Sequence, residues 1–391
     1  MKRLLRIGFD MFITSFTPII IWFFVGIILD KNLSNVFTLT YPLQCFMGMI
    51  VAIFGVGASA TTFKDKNKNG ADNGIFYGTI ISILIFTLIA LNVDKYINFM
   101  NMDISIYRTF CIYSIIQIMF MTILYMILMK LYYFEENKKA NRISLVFSLV
   151  NFVVLISMML ITKNQVIICL VTLIILGILV LYFLFNNVKK VDFKLNLVNC
   201  FKYNCVSFCL NLIFLVIYLF GFSNSFSYGE KYVVAITFVT LVTDIQFDMT
   251  NAIDTVAKVD IVKDNFNYEE HFRNAVKYII MLIISIIIMS MVMYPIYKPD
   301  LLVVGIFLML HIMNFIMYPF ANIKMRYLEL KRPFMTTSNM IIANIIRTII
   351  SFFPTPFCTI FGQLVSYIYI NIFANVGYDK LNSFKDNKKK H

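Results

Sequence analysis

The chain predicts an all-α polytopic membrane protein, with twelve transmembrane helices in two six-helix lobes related by pseudo-two-fold symmetry. Three observations lead there. Of its 391 residues, 60% are hydrophobic and only 14% charged, with a mean hydropathy of +0.80. Apolar runs of about 20 residues, the length that crosses a bilayer core as a helix, recur from end to end. Lysine and arginine gather in every second connection, as they do in cytoplasmic loops. The runs are continuous, whereas a β-barrel strand alternates its faces and a soluble helix keeps a polar side.

The first run, "MKRLLRIGFDMFITSFTPIIIWFFVGIIL", begins with basic residues and is too long for a signal-peptide core. It reads as the first span, 8–29. The next five are 35–61, 75–93, 104–129, 143–162 and 165–186, with the last two split at Lys163. The second six are 201–221, 231–257, 274–294, 300–322, 335–353 and 357–376, with the last two split at Pro354–Pro356. Pro18, Pro42 and Pro319 fall inside spans and mark bends.

Charge tests that count independently. One side collects Lys2, Arg3 and Arg6; Lys64, Lys66 and Lys68; Lys130, Lys138, Lys139 and Arg142; and Lys189, Lys190, Lys194 and Lys202. The same side continues with Lys258, Lys263, Arg273 and Lys277, then Lys324, Arg326, Lys331 and Arg332, and ends with the tail "KDNKKKH". The intervening connections hold only Lys31, Lys95, Lys163, Lys231 and Lys298. Both termini are therefore expected in the cytoplasm of a multi-pass cell-membrane protein. The net charge of +13 is spread over these loops. It speaks for topology and contact with anionic membrane lipid, not for nucleic acid.

The basic connection "NNVKKVDFKLNLVN" divides the spans six and six. The expected organisation is a lobe over 1–186, a cytoplasmic linker over 187–200, a second lobe over 201–376 and a basic cytoplasmic tail over 377–391. Six spans per half give both halves one orientation, a common transporter arrangement. The seven cysteines form no CxxC pair and sit mostly inside apolar runs. They read as small buried hydrophobes, and no metal site is expected. No nucleophile–base arrangement points to an enzyme.

Span eight breaks the apolar pattern with "TFVTLVTDIQFDMTNAIDTVAKVD" (237–260). At about 100° per residue, with Asp244 at 0°, Asp248 falls near 40°, Asn251 near −20°, Thr255 near 20° and Thr240 near −40°. Thr237 and Lys258 share this arc; Asp254 lies beside it, and Gln246 and Asp260 point the other way. An Asp at mid-bilayer costs roughly 2.5–3.5 kcal/mol on insertion scales. The stripe must therefore face protein or water. Two readings apply: Asp254, Lys258 and Asp260 are the interfacial end of a short span, while Asp244 and Asp248 form a cation, proton or cationic-substrate site. Arg347 in span eleven is the intramembrane cation that could neutralise Asp244, which would make the stripe a structural ion pair. Asp10 opens span one near the inner face, and Arg108 is expected to snorkel toward the outer interface.

Three segments carry a family likeness: "VG" at Val25–Gly26, "YP" at Tyr41–Pro42 and "GVGASA" at Gly55–Ala60. With "DNFNYEEHFRNAV" (264–276) in the second half, the chain resembles the multidrug and toxic compound extrusion (MATE) family. That family belongs to the multidrug/oligosaccharidyl-lipid/polysaccharide flippase superfamily. The resemblance implies a monomeric secondary transporter that exports an amphipathic or cationic small molecule by alternating access. Na+ or H+ would be the coupling ion, with no other cofactor. It departs at Ile21, where many members carry a cation-binding Asp, and in spans seven and ten, where others carry acids. Span ten here offers His311 and Asn314. The alternatives are a flippase for lipid-linked saccharide, whose phosphates Arg347 would hold, and a non-transporting membrane subunit.

Overall fold

Every long apolar run becomes a helix, because a chain that cannot reach water must satisfy its backbone internally. The computed structural model describes residues 1–65, 69–262, 266–331 and 333–389, and most side chains within them. In chain order the long helices are α1 (Lys2–Ile28), then span two in pieces, α5 (Gly70–Leu91), α7 (Ile104–Tyr133), α8 (Asn137–Ile161), α9 (Gln165–Asn187) and α10 (Leu197–Phe226). The second half gives α11 (Glu230–Val262), α12 (Tyr268–Tyr297), α13 (Leu301–Lys331), α14 (Pro333–Ser351) and α15 (Cys358–Lys389). These match the twelve expected spans, and both splits fall where the sequence places them. Ten helices among the described residues are long and apolar enough to cross a membrane. In α1 the apolar stretch described is Ile19–Ile28, and in the continuous helix α14 the apolar run is broken by Asn339, Asn344 and Arg347. This is a multi-pass membrane protein.

Local chemistry sets the breaks. Asn164 caps α9 by accepting from the amides of Val166 (3.0 Å) and Ile167 (3.3 Å). Asp103 caps α7 through the Ser105 amide (2.8 Å), and Asn267 caps α12 through the Glu270 amide (3.2 Å). Gly229, at φ 110°, makes the turn between α10 and α11 that a side chain would resist. Two details differ from the sequence reading. The basic end at 377–391 continues as helix to Lys389. Arg108 does not simply reach for the interface: its Nε pairs with Asp94 at 3.1 Å, on a short helix α6 (Val93–Phe99).

Span two is not one helix. A 3-10 turn (Lys31–Ser34) leads into α2 (Asn35–Thr40), which breaks at Tyr41–Pro42 before α3 (Leu43–Ile50), a π-helical segment (Val51–Gly57) and α4 (Ala58–Lys64). Pro42 supplies no amide donor, so the break is expected there. The π segment is not, since a one-residue slip of the hydrogen-bond ladder leaves no mark on hydropathy. Its glycines are explained by contact. A Cβ at Gly57 would overlap the Cys200 carbonyl of α10, and one at Gly74 of α5 would overlap the Phe54 carbonyl and the Ala58 methyl. The small residues let helices approach at backbone distance. Asn204, whose φ of −144° kinks α10, donates to the Ala52 carbonyl at 3.1 Å.

Residues 17–223 form one compact unit, and residues 1–16 with 224–391 form another. The units do not divide at the expected linker, 187–200, because that segment is fastened to α5 and α10 packs on span two. Asp72, in the first turn of α5, accepts from the Lys130 amine and from the amides of Lys189 and Lys190 (both 3.2 Å). Asn73 and Asp192 exchange two further hydrogen bonds, and Asn69 donates to Asp192 at 3.0 Å. In the same unit, α7 runs against α5 and α9. Its buried polar groups pair with neighbours, Tyr107 accepting from Asn35 (3.1 Å), Ser114 with Thr40 (2.7 Å) and Tyr113 donating to Asn151 (3.0 Å).

The amides of Asn73 and Asn69 hold the Asp192 carboxyl below the usual carboxylate range. A depressed acid contributes stability that is present above its unfolded value, about 3.9, and lost as pH falls through the folded value. Limited proteolysis between residues 187 and 200 is therefore expected to accelerate below about pH 4. In Asp192→Ala the linker should be cut readily at neutral pH too.

Candidate functional site

Helix α11 is among the most buried of the spans, with 67% of its apolar window covered. What covers it identifies its faces. Gln246 donates to Ser285 of α12 at 3.1 Å, the Met249 carbonyl accepts from Tyr278 of α12 at 3.2 Å, and Asp260 pairs with His271 of α12 at 3.2 Å. Those contacts fall on the side opposite Asp244, as the angular reading requires. Phe247 packs edge-on against Phe315 and Tyr318 of α13, with ring centroids 5.6 and 6.3 Å apart. Ile245, Gln246, Val242 and Ala252 are buried, whereas Thr240, Asp244 and Asp248 are half-exposed. Thr240, Asp244 and Asp248 are thus the half-buried part of the stripe on a helix mostly enclosed by protein, and Thr237 on the same arc is fully buried.

Thr240 donates its hydroxyl to the Ile236 carbonyl at 2.8 Å. Asn251 and Thr255 continue the same register on α11, but their side chains lie outside the described residues, as do those of Asp254 and Lys258. The side chain of Asp10, on α1, lies outside them too. Arg347 is buried on α14, 8% exposed, where Gly362 of α15 leaves room for its stem, and it lies within electrostatic range of His311 on α13. Thr240, Asp244 and Asp248 thus share one half-buried face of α11, and Arg347 acts electrostatically on His311.

Polar residues that the helical-wheel argument passed over line the inside of the same unit. Asn314 is fully buried, and neither side-chain atom has a hydrogen-bond partner among the described residues. Asn371 donates to the carbonyls of Met317 (3.3 Å) and Tyr367 (3.0 Å). Asn314 was already visible as a polar residue of span ten; Asn371 gave the same signal, an amide within a span, which the search for charges did not weigh.

No family model matches the chain, and no curated protein matches it. Solved structures do. A multidrug resistance MATE family transporter of the MOP superfamily, in its inward-facing conformation, aligns over 98% of this chain and 96% of its own at a TM-score of 0.64 and 12% identity. The chain has the fold of a MATE transporter. An outward-facing MATE structure aligns over 97% of this chain and 96% of its own at 0.63 and 15% identity. A MOP superfamily transporter from Pyrococcus furiosus aligns equally widely, 97% and 96%, at 0.64 and 15% identity. That protein is described as having a binding pocket of reverse polarity, which suggests a different function. The MATE-like "GVGASA" segment of this chain is the π-helical stretch and the start of α4, so the likeness read from sequence lies on the close packing of α5 and α10.

Proposed function

We propose that the protein is a secondary active transporter of MATE type that exports an amphipathic or cationic small molecule by alternating access. The observation that carries this is the α11 stripe: two half-buried carboxylates with Thr240 on one face of a membrane helix mostly enclosed by protein. Carboxylates so placed take a hard cation, a proton or a cationic substrate in exchange for lost water. Na+ or H+ would supply the driving force there. Asn251 and Thr255 extend the stripe by register, Asp10 belongs to the inner end of α1, and Arg347 sets the local potential. The fold, shared with transporters solved in inward- and outward-facing conformations, supports the cycle. The protein would act as a monomer in the cell membrane with both termini cytoplasmic.

A second reading draws on buried Arg347 and on the reversed polarity described for the Pyrococcus furiosus relative: a flippase for lipid-linked saccharide. Proteoliposomes holding an imposed Na+ or H+ gradient separate the two. Gradient-dependent movement of a cationic dye supports the antiporter. Loss of surface polysaccharide on deletion, with no dye movement, supports the flippase.

A further inference from the structure

A cavity of about 200 Å³ opens where the ends of α7 and α9 meet the start of α8. Lys130, Lys139 and Lys189 line it, with Asp72, Glu136 and Asn187. Asp72 is already occupied by the Lys130 amine and two backbone amides, and Glu136 by Lys139 at 3.4 Å. The Lys189 amine has no hydrogen bond or ion pair among the described residues. The cavity is therefore positive.

A second feature points to a ligand. Asn187 is 4% exposed, its amide nitrogen is committed to the Phe183 carbonyl at 2.7 Å, and its Oδ1 has no hydrogen-bond partner. A buried acceptor left unmade costs roughly 1–3 kcal/mol, so a donor reaching Oδ1 would be favoured. Inorganic phosphate would satisfy the lysines and, as hydrogen phosphate, would also offer Oδ1 its remaining O–H. A phosphodiester bearing a free hydroxyl satisfies both as well.

Its surroundings supply the rest. Below the cavity, Leu145 and Leu149 of α8 and Leu181, Tyr182 and Phe185 of α9 are exposed apolar side chains on bilayer-spanning helices. Acyl chains would lie along them while the headgroup sits among the lysines.

We propose that this cavity binds the headgroup of an anionic glycerophospholipid with hydroxyl-bearing phosphodiester chemistry, that of phosphatidylglycerol. Lys139 and Lys189 hold the phosphate, and Asn187 Oδ1 accepts from the glycerol hydroxyl. The lipid belongs to the inner leaflet if the proposed topology holds; the binding itself does not depend on transport. The test titrates the purified full chain in neutral detergent with short-chain phosphatidylglycerol, phosphatidylmethanol, phosphatidylcholine or inorganic phosphate, reading the thermal unfolding midpoint. Phosphatidylglycerol is expected to raise the midpoint most, and phosphatidylcholine not at all. Removing two surface lysines, in K139Q/K189Q, should raise the half-saturating concentration about thirtyfold. N187A should erase the preference for phosphatidylglycerol over phosphatidylmethanol, which keeps the charge and lacks the hydroxyls. An unchanged response in K139Q/K189Q overturns the proposal. So does inorganic phosphate matching phosphatidylglycerol, which would make this a free-phosphate pocket.

Discussion

Replacing Asp244 and Asp248 together by asparagine is expected to abolish gradient-driven export while leaving the protein folded. A hydrogen bond to a charged partner contributes about 1.5–3 kcal/mol, so two neutral amides should weaken cation binding by about ten- to a hundredfold at least. The folded state is expected to survive, because asparagine keeps the shape and a hydrogen-bonding oxygen while removing an intramembrane charge that costs roughly 2.5–3.5 kcal/mol to insert. The unfolding midpoint is expected to hold or rise. A purely structural role predicts the reverse. If the carboxylates served to neutralise Arg347, the double variant would strand a buried guanidinium and lose several kcal/mol of stability. Dye movement in proteoliposomes and thermal unfolding of one preparation measure both quantities. Full transport with normal stability would remove the stripe from the mechanism.

The second large effect lies in the other unit. Asp72→Ala is expected to destabilise the protein by roughly 3–5 kcal/mol, the range for breaking a buried ion pair from one side. It strands the Lys130 amine, which keeps only the Asn187 carbonyl, and it leaves the amides of Lys189 and Lys190 without their acceptor. Combining Asp72→Leu with Lys130→Met should recover part of the loss, since an apolar pair of similar volume often matches a buried ion pair. Recovery should be incomplete because the two linker amides remain unsatisfied. Thermal unfolding in detergent, with proteolysis across 187–200 as a second readout, decides it. A loss below about 1 kcal/mol would mean that Asp72 behaves as a surface pair and that the linker is held elsewhere.

These two predictions mark what could and could not be read from sequence. The spans were legible because a bilayer demands apolar length, and their count because lysine and arginine alternate sides. The faces of α11 were legible as well. Gln246 and Asp260 were placed opposite Asp244 by helical geometry alone, and both contact α12 there. Asp72 was invisible because its partners are Lys130, 58 residues on, and two linker amides further still. Nothing in the basic connection after span two points to those partners, although an acid in the first turn of a helix is a known placement. The π segment was hidden for another reason: its register is fixed by neighbours, Asn204 at the Ala52 carbonyl and Cys200 over Gly57. Long-range contacts likewise moved α10 into the unit of the first half, where charge counting had drawn the boundary before it.

Accessibility of α11 is the most direct test of the central claim, that its carboxylate face meets water. In a background with the seven native cysteines removed, single cysteines at positions 244, 248 and 246 are exposed to a small hydrophilic thiol reagent in intact membranes. The account predicts that Asp244→Cys and Asp248→Cys are modified, while Gln246→Cys, facing α12, is protected. Protection at 244 and 248, or equal labelling at all three positions, would contradict it.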